Sequence, residues 1–257
     1  MAEPRLLIDA HLRLGAAIAL DEAQARHAGT VLRLDVGDTL RLFNADDGEW
    51  RARIVEKSKR GMGATIFEFI RPARAAPDLD LLFAPVKRHA TDLIVEKAAE
   101  LGVRRIFPVT TQRTIAETVR VDRLSTIARE AAQQTERFDA PEIHEAQSLP
   151  RALDGWNASR RLIYADEAGD DPNAPWGGET GRALPVAEAL GSGPQVPRSM
   201  ALLIGPEGGF TSEERRMLRS HPYVVPVSLG PRILRAETAV IAALSVIQAI
   251  WGDWRRA

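Results

Sequence analysis

The chain has 257 residues, 45% of them hydrophobic and 27% charged, with a formal net charge of -1. It can therefore bury a substantial core, and it offers no global electrostatic attraction to a polyanion. It contains no cysteine, which excludes disulfides, thiolate metal sites and a cysteine nucleophile and suits a reducing compartment.

From Arg5 to Arg71 short segments of β character recur: Arg5 to Ile8, Thr39 to Phe43, Glu49 to Val55 and Ala64 to Phe69. Turn signals separate them at Val36-Gly37-Asp38, Asp46-Asp47-Gly48 and Arg60-Gly61. The pattern predicts a small β-rich domain over residues 1–72. That stretch carries 11 basic and 11 acidic side chains, so any RNA surface must be a local patch such as Arg51, Arg53, Lys57, Lys59 and Arg60. A solvated strand edge whose lysines oppose aggregation explains the same cluster equally well. The apolar patch Leu14 to Leu20 is flanked by Asp9, His11, Arg13, Asp21 and Glu22, unlike a cleavable signal.

Pro72 to Pro77, rich in Ala and Pro, reads as a linker. Beyond it, over residues 78–257, apolar runs alternate with helical stretches, as in a mostly parallel sheet covered on both faces. The predicted strands are Leu79 to Ala84, Arg105 to Val109, Arg161 to Ala165, Met200 to Ile204 and Val224 to Leu229. The predicted helices are Thr91 to Leu101 and Val121 to Gln134. Asp166 to Arg198, crowded with Gly, Pro, Asp and Glu, is expected to be a mobile surface excursion with one short helix at Ala183 to Leu190. The apolar run Ala239 to Trp251 is interrupted by Ser245 and Gln248 and is too short to cross a bilayer, so it is expected to be a buried helix. A cytoplasmic protein with no membrane attachment is expected.

Two junctions carry chemistry. In Leu202 to Glu214 a buried strand runs into Gly205-Pro206-Glu207-Gly208-Gly209, and Thr211 with Glu214 forms a capping box for the next helix. Glycines there let backbone approach a ligand closely, at the strand end where open α/β sheets bind ligands. The spacing is not the Rossmann G-x-G-x-x-G, and no Walker lysine follows. A tight turn without a ligand fits the glycines alone equally well. The second junction, Val227 to Thr238, again runs from strand through Gly230-Pro231 into a helix with Val240, Leu244, Ile247 and Trp251 on one stripe. The two junctions lie about one α/β unit apart and are able to line one pocket. His11, His27, His89, His144 and His221 show no metal-ligand spacing, so no metal is expected.

Ile204-Gly205-Pro206-Glu207-Gly208-Gly209 and Leu229-Gly230-Pro231-Arg232-Ile233-Leu234-Arg235-Ala236-Glu237-Thr238-Ala239 together resemble the paired signature of the RsmE family of SPOUT methyltransferases. Pro4-Arg5-Leu6, His27, Val31-Leu32-Arg33 and Gly37-Asp38 resemble the family's PUA-like RNA-binding domain. Lys87 with Ile94 to Val103 resembles the first helix of its catalytic domain. Glu130-Ala131-Ala132-Gln133-Gln134 resembles a later one, although the family more often has an acidic residue where Gln133 stands. Gln112-Arg113-Thr114 matches the family's Glu-Arg-Ser only in part.

The resemblance implies an α/β fold of SPOUT type with a trefoil-knotted, mostly parallel sheet, behind a small PUA-like domain. It implies a homodimer that transfers a methyl group from S-adenosyl-L-methionine to N3 of one uridine in 16S ribosomal RNA of the small ribosomal subunit. Residues implied at the cofactor are Ile204, Gly205, Pro206, Glu207, Gly208, Gly209, Leu229, Gly230, Ile233, Leu234 and Thr238. Arg5, His27, Arg33, Lys87 and Arg88 are implied at RNA. Uridine N3 must lose a proton, so Arg235 is the candidate for stabilising the anion and Glu237 for orienting Arg235 or taking the proton. Arg235 paired to Glu237 or Glu207, and Glu237 placed for the helix dipole, are the plain structural alternatives. Glu207 is expected to fix its loop by accepting backbone N–H bonds. Two other functions compete: a SPOUT enzyme acting on transfer RNA or a ribose 2'-hydroxyl, and a non-catalytic RNA-binding ribosome-assembly factor.

Overall fold

The computed structural model describes residues 3–58, 61–115, 118–174, 177–191 and 199–254. The chain packs into two compact units, Met1–Ala75 with Ala132–Ala140, and Ala76–Ala131 with Pro141–Ala257. The return of residues 132–140 to the first unit is a tertiary event that no local pattern announces.

In the first unit β1 (Arg5–Leu7), β2 (Ala17–Ala19), β3 (Thr39–Asn44), β4 (Gly48–Ser58) and β5 (Gly61–Arg71) form a sheet in the order β1-β3-β4-β5-β2. β1 pairs parallel to β3, and the other pairs are antiparallel. Alternate residues Leu40, Leu42, Ala52, Ile54, Ala64 and Ile66 point into the core, the period of two that a one-sided sheet requires. A short helix α1 (Glu22–Arg26), capped by Asp21, leads into a π-helical turn at His27–Val31, and Arg33 follows with φ of 57°. The sequence reading missed α1 because none of its five residues is buried, so it has no apolar stripe to reveal it.

The centre of this unit is a buried carboxylate. Glu49 is fully enclosed, with Arg5 Nε at 2.7 Å, Arg71 Nε at 2.5 Å and Arg41 Nη1 at 3.2 Å. Burial alone would push its carboxyl up, but hydrogen bonds and charge from Arg5 and Arg71 outweigh this and hold it below the usual range. Arg5 also donates to the carbonyls of Gln133 and Arg137 and lies 3.9 Å over the Phe43 ring. The placement of Arg5 at an RNA surface is therefore corrected: its side chain is 6% exposed and is committed to a buried anion. Gln133, where the family tends to be acidic, accepts from the Leu7 N–H at 3.2 Å. Lys59 and Arg60 of the basic patch lie outside the described residues. Arg51 pairs with Glu3 and Glu68, and Lys57 donates to the Leu34 carbonyl, which leaves Arg53 exposed over the ring of Phe67.

In the second unit β6 (Leu79–Phe83), β7 (Arg105–Thr110), β8 (Glu142–Ile143), β10 (Arg161–Ala165), β11 (Met200–Ile204) and β12 (Val224–Val227) lie in the order β12-β10-β11-β6-β7-β8, with β9 (Gln147–Ser148) also on β7. Every pair is parallel. β6 and β11 are buried along their whole length, which explains their unbroken apolar runs. Leu79, Leu81, Phe83, Leu202 and Ile204 face a core shared with α2 (Arg88–Glu100), α3 (Val121–Gln134), α5 (Val186–Gly191) and α7 (Ala236–Ile250). Leu82, Leu162, Tyr164 and Leu203 face the other core, with α4 (Leu149–Leu153) and α6 (Ser212–Ser220). Among the described residues no helix is long and apolar enough to cross a membrane, and no cluster of three or more His, Asp or Glu is placed to hold a metal.

The expected mobile excursion is ordered where it is described. Asp170 N–H donates to the Thr180 carbonyl at 2.6 Å, Asp171 N–H to Gly177 at 2.9 Å and Val186 N–H to Ser228 at 3.0 Å. Its composition signals exposure; the first two bonds close the excursion on itself, and the bond from Val186 to Ser228 depends on the fold. Residues 175–176 and 192–198 of the excursion lie outside the described residues.

Glu49→Gln leaves three arginines facing a neutral amide and should destabilise the first unit by about 3–5 kcal/mol at neutral pH. Because the folded carboxyl is depressed, its contribution is complete above the ordinary glutamate value of 4.5 and drains away as pH falls through the lower folded value. Urea unfolding, with amide exchange in β4, should show the two proteins converging on acidification.

Candidate functional site at the C-terminal edge of the parallel sheet

β10 lies between β11 and β12, so the segments leaving all three strands emerge side by side. Together they line one narrow cavity of about 80 Å³, walled by Ala165 to Glu167, by Ile204 to Glu207 with Gly209, and by Val227, Leu229, Gly230 and Arg232 to Leu234. Ala236 and Ala239 of α7 close its floor. This is where the strand order reverses, the position at which open α/β sheets hold ligands. The cavity shares Glu167, Glu207, Gly209 and Ile233 with an outer cleft of about 890 Å³, which is also bordered by Arg113, Arg215, Arg216 and Arg219. The inner cavity alone is below the ~300–1,000 Å³ typical of small-molecule sites, and the outer cleft supplies the remaining room.

The glycine turn is held from three sides. Gly209 N–H donates to the Pro206 carbonyl at 2.9 Å. Arg113 Nη1 donates to the Gly208 carbonyl at 2.8 Å. Beneath it, the Phe210 ring occupies the space beside Gly205, where an added Cβ would lie 2.6 Å from Cε2, and it packs edge-on against Tyr164 at 5.0 Å. The Thr211–Glu214 capping box forms as the sequence predicts, and Glu214 Oε1 also accepts from Gln112 N–H at 2.8 Å. Gln112 and Arg113, the partial match to the family, therefore brace the turn. Glu207 is exposed and accepts no backbone hydrogen bond among the described residues, so the loop-fixing role expected of it falls to Glu214 and Arg113.

The third loop is clamped by a buried acid that sequence reasoning overlooked. Asp166, only 2% exposed, takes Arg215 Nε at 2.9 Å and Arg219 Nη2 at 2.7 Å, and its own N–H donates to Val227. Arg215 also donates to the carbonyls of Gly169 and Ala168, both at 2.8 Å. Glu167 follows at the junction of cavity and cleft. It is open to solvent from the cleft and otherwise surrounded by protein; that burial, with Asp166 beside it, pushes its carboxyl above the ordinary range. The only signal in the sequence was a pair of acids directly after a predicted strand.

Of the residues implied at the cofactor, Ile204, Gly205, Pro206, Glu207, Gly209, Leu229, Gly230, Ile233 and Leu234 line the inner cavity. Gly208 lines the outer cleft, and Thr238 is exposed on α7 without reaching the inner wall. Arg235, the N-terminal cap residue of α7, is exposed, and its guanidinium has no hydrogen-bond or ion-pair partner among the described residues. The plain structural alternative, a pairing with Glu237 or Glu207, is absent among the described residues. A cation at that helix end opposes the dipole, so helix stability does not account for it, whereas Glu237 in the first turn suits the dipole. Lys87 borders a small cavity with Arg113, Glu207 and Gly208, and Arg88 borders another with Arg120 and Arg123. His27 and Arg33 are exposed in the first unit.

The wall fits an organic ligand with apolar and hydrogen-bonding parts. Ile233 is 69% exposed, an aliphatic surface that lacks a cover. Gly230 has φ of 104°, and a Cβ there would meet nothing within 4 Å, so bare backbone faces open space.

A parallel α/β sheet with a ligand cavity at its C-terminal edge, on a chain that also carries a small β-rich unit, defines a ligand-binding α/β domain joined to a β-rich module. The RNA methyltransferase domain family matches residues 74–248, and the RNA methyltransferase PUA domain family matches residues 20–66. Ribosomal RNA small subunit methyltransferase E of Rickettsia conorii is 31% identical over 96% of this chain and 95% of its own length. The Bacillus subtilis protein of the same name is 26% identical over 87% and 86%. The Neisseria gonorrhoeae enzyme of that name, solved bound to S-adenosyl methionine, superposes with a TM-score of 0.83 at 26% identity, covering 99% of this chain and 100% of that one. A Legionella pneumophila protein solved with the cofactor SAM gives 0.81 at 31% identity, covering 98% and 100%. The chain belongs to the ribosomal RNA small subunit methyltransferase E family, the RsmE branch of the SPOUT methyltransferases.

Gly209 has φ of 64°, and a Cβ there would collide with Glu167 Oε1, whereas Gly230 has open space. Both alanine variants should lose about 1–2 kcal/mol for the left-handed backbone. Gly209→Ala should lose measurably more in urea unfolding; equal losses would mean that Glu167 is free to move aside.

Proposed function

We propose that the protein transfers a methyl group from S-adenosylmethionine to N3 of one uridine in the 16S ribosomal RNA of the small subunit, acting as a cytoplasmic homodimer. The observation that carries this reading is the convergence of two glycine-bearing loops, Ile204 to Gly209 and Leu229 to Leu234, on one cavity with an apolar wall and bare backbone. The names and bound cofactor of the relatives supply the substrate class and the methyl donor.

S-adenosylmethionine, when bound, supplies an electrophilic methyl group on a sulfonium. The protein then has to align N3 with that carbon and exclude water. The backbones of Ile204 to Gly209, Leu229 and Gly230, with the side chains of Ile233 and Leu234, would hold the cofactor. The trefoil threading of the family belongs to the same reading, since it wraps loops from three strands round one ligand. Arg235, unpartnered beside the cavity, would pair with O2 or O4 as negative charge builds on the base. His27 and Arg33 in the first unit, with Lys87 and Arg88 in the second, would meet the RNA. Ile241 and Ala242, half-buried on α7 and outside the core cluster, support a dimer contact on that helix.

Small subunits from a strain lacking the modification, incubated with radiolabelled S-adenosylmethionine, should gain label in N3-methyluridine. Label in a transfer RNA or on a ribose would reject the reading. Arg235→Ala should lower turnover roughly 100-fold while leaving cofactor affinity nearly unchanged. Sedimentation at micromolar concentration should show a dimer.

A further inference from the structure

Neutral uridine carries a proton on N3, so its nucleophilic form requires a proton acceptor placed where the base meets the methyl donor. Five acidic side chains border the inner cavity or the outer cleft: Asp166, Glu167, Asp170, Asp171 and Glu207. Asp171 lines only the cleft and accepts the Asn173 N–H. Asp166 is buried and neutralised by Arg215 and Arg219, and Asp170 is held by the same two arginines. Glu207 and Glu167 both border cavity and cleft, both are exposed, and neither has an ion pair or a side-chain hydrogen bond among the described residues. They differ in placement. Glu167 directly follows the clamped Asp166, and its Oε1 would collide with a Cβ on Gly209, so its carboxylate is set against the glycine turn, whereas Glu207 stands on that turn itself.

Resting on the methyltransfer reading above, we propose that Glu167 is the proton acceptor for N3 of the target uridine. In this step the N3–H bond breaks and its proton passes to the Glu167 carboxylate. The nitrogen electron pair forms the bond to the methyl carbon, and the carbon–sulfur bond breaks with its electrons left on sulfur. The base becomes N3-methyluridine, the donor becomes a neutral thioether, and Glu167 later releases its proton to solvent through the open cleft. Arg235 and Glu167 divide the task, one stabilising negative charge on the base and the other removing the proton.

The electrostatic surroundings suit this role. The surrounding protein and the charge of Asp166 raise the Glu167 carboxyl, while Arg215 and Arg113 pull the other way; the balance is upward, and a raised carboxyl is the stronger base in its ionised form.

Glu167→Gln keeps the size of the side chain and removes its basicity. Turnover on small subunits should fall about 100-fold or more, with calorimetric affinity for S-adenosylmethionine unchanged, which also reports that the site is folded. The acidic limb of the wild-type pH–rate profile should vanish in the variant. Target RNA carrying 5-fluorouridine, whose N3–H is more acidic, should recover rate in the variant more than in the wild type, and Glu167→Asp should retain part of the activity. A wild-type rate in Glu167→Gln, loss of cofactor binding, or loss of the acidic limb in Glu207→Gln instead would each overturn the assignment. The methylated nucleoside made by the wild type separates the two levels. Product at a position other than N3 removes the methyltransfer reading and this inference together, whereas N3-methyluridine from an unaffected Glu167→Gln removes the inference alone.

Discussion

Parallel pairing of β10 with β11 on one side and β12 on the other is the constraint on which the site depends. Tyr164 stands opposite Leu203, and Ala165 opposite Val227, so the three strands end at nearly the same height. Parallel strands send all their C-terminal ends to one edge, and their crossovers return the chain behind the sheet. Three loops distant in sequence thereby become the walls of one cavity. No side chain in those loops would meet the others without that register.

Two buried carboxylates then convert topology into fixed geometry. Asp166 holds the start of the β10 loop through Arg215 and Arg219, and Glu214 ties α6 both to its own cap and to Gln112. Each carboxylate is enclosed, so each hydrogen bond acts in a medium where water competes poorly, and a broken one would leave an unpaired buried group. Glu49 does the same for the first unit with three arginines. Around the cavity, Arg215 and Arg219 are engaged by Asp166, whereas among the described residues Arg232, Arg235 and Glu167 lack side-chain partners.

This separation of bound and free charge bears on the RNA surface. Net charge near zero cannot draw the protein to RNA by itself, so recognition must rest on local cations. Arg5 is consumed by a buried acid and Arg51 pairs with Glu3 and Glu68 at the surface, whereas Arg33, Lys87 and Arg88 face solvent without such pairs among the described residues. A count of basic residues along the chain overstates the cationic surface, because pairing is decided in three dimensions.

The sequence by itself determined the strand and helix character of the second unit, since buried parallel strands leave unbroken apolar runs and a Thr–Glu capping box marks where α6 starts. It also determined the two glycine junctions, because backbone that must turn sharply or face a ligand without a side chain admits little else. It did not disclose that residues 132–140 return to the first unit, that Arg5 is buried, that the Asp166 to Arg198 excursion is pinned where it is described, or that Glu167 stands between cavity and cleft. Those features are contacts between residues tens of positions apart, and hydrophobic periodicity and turn chemistry are local. Only the folded register of β10 decides which acid is clamped and which is left facing the cleft.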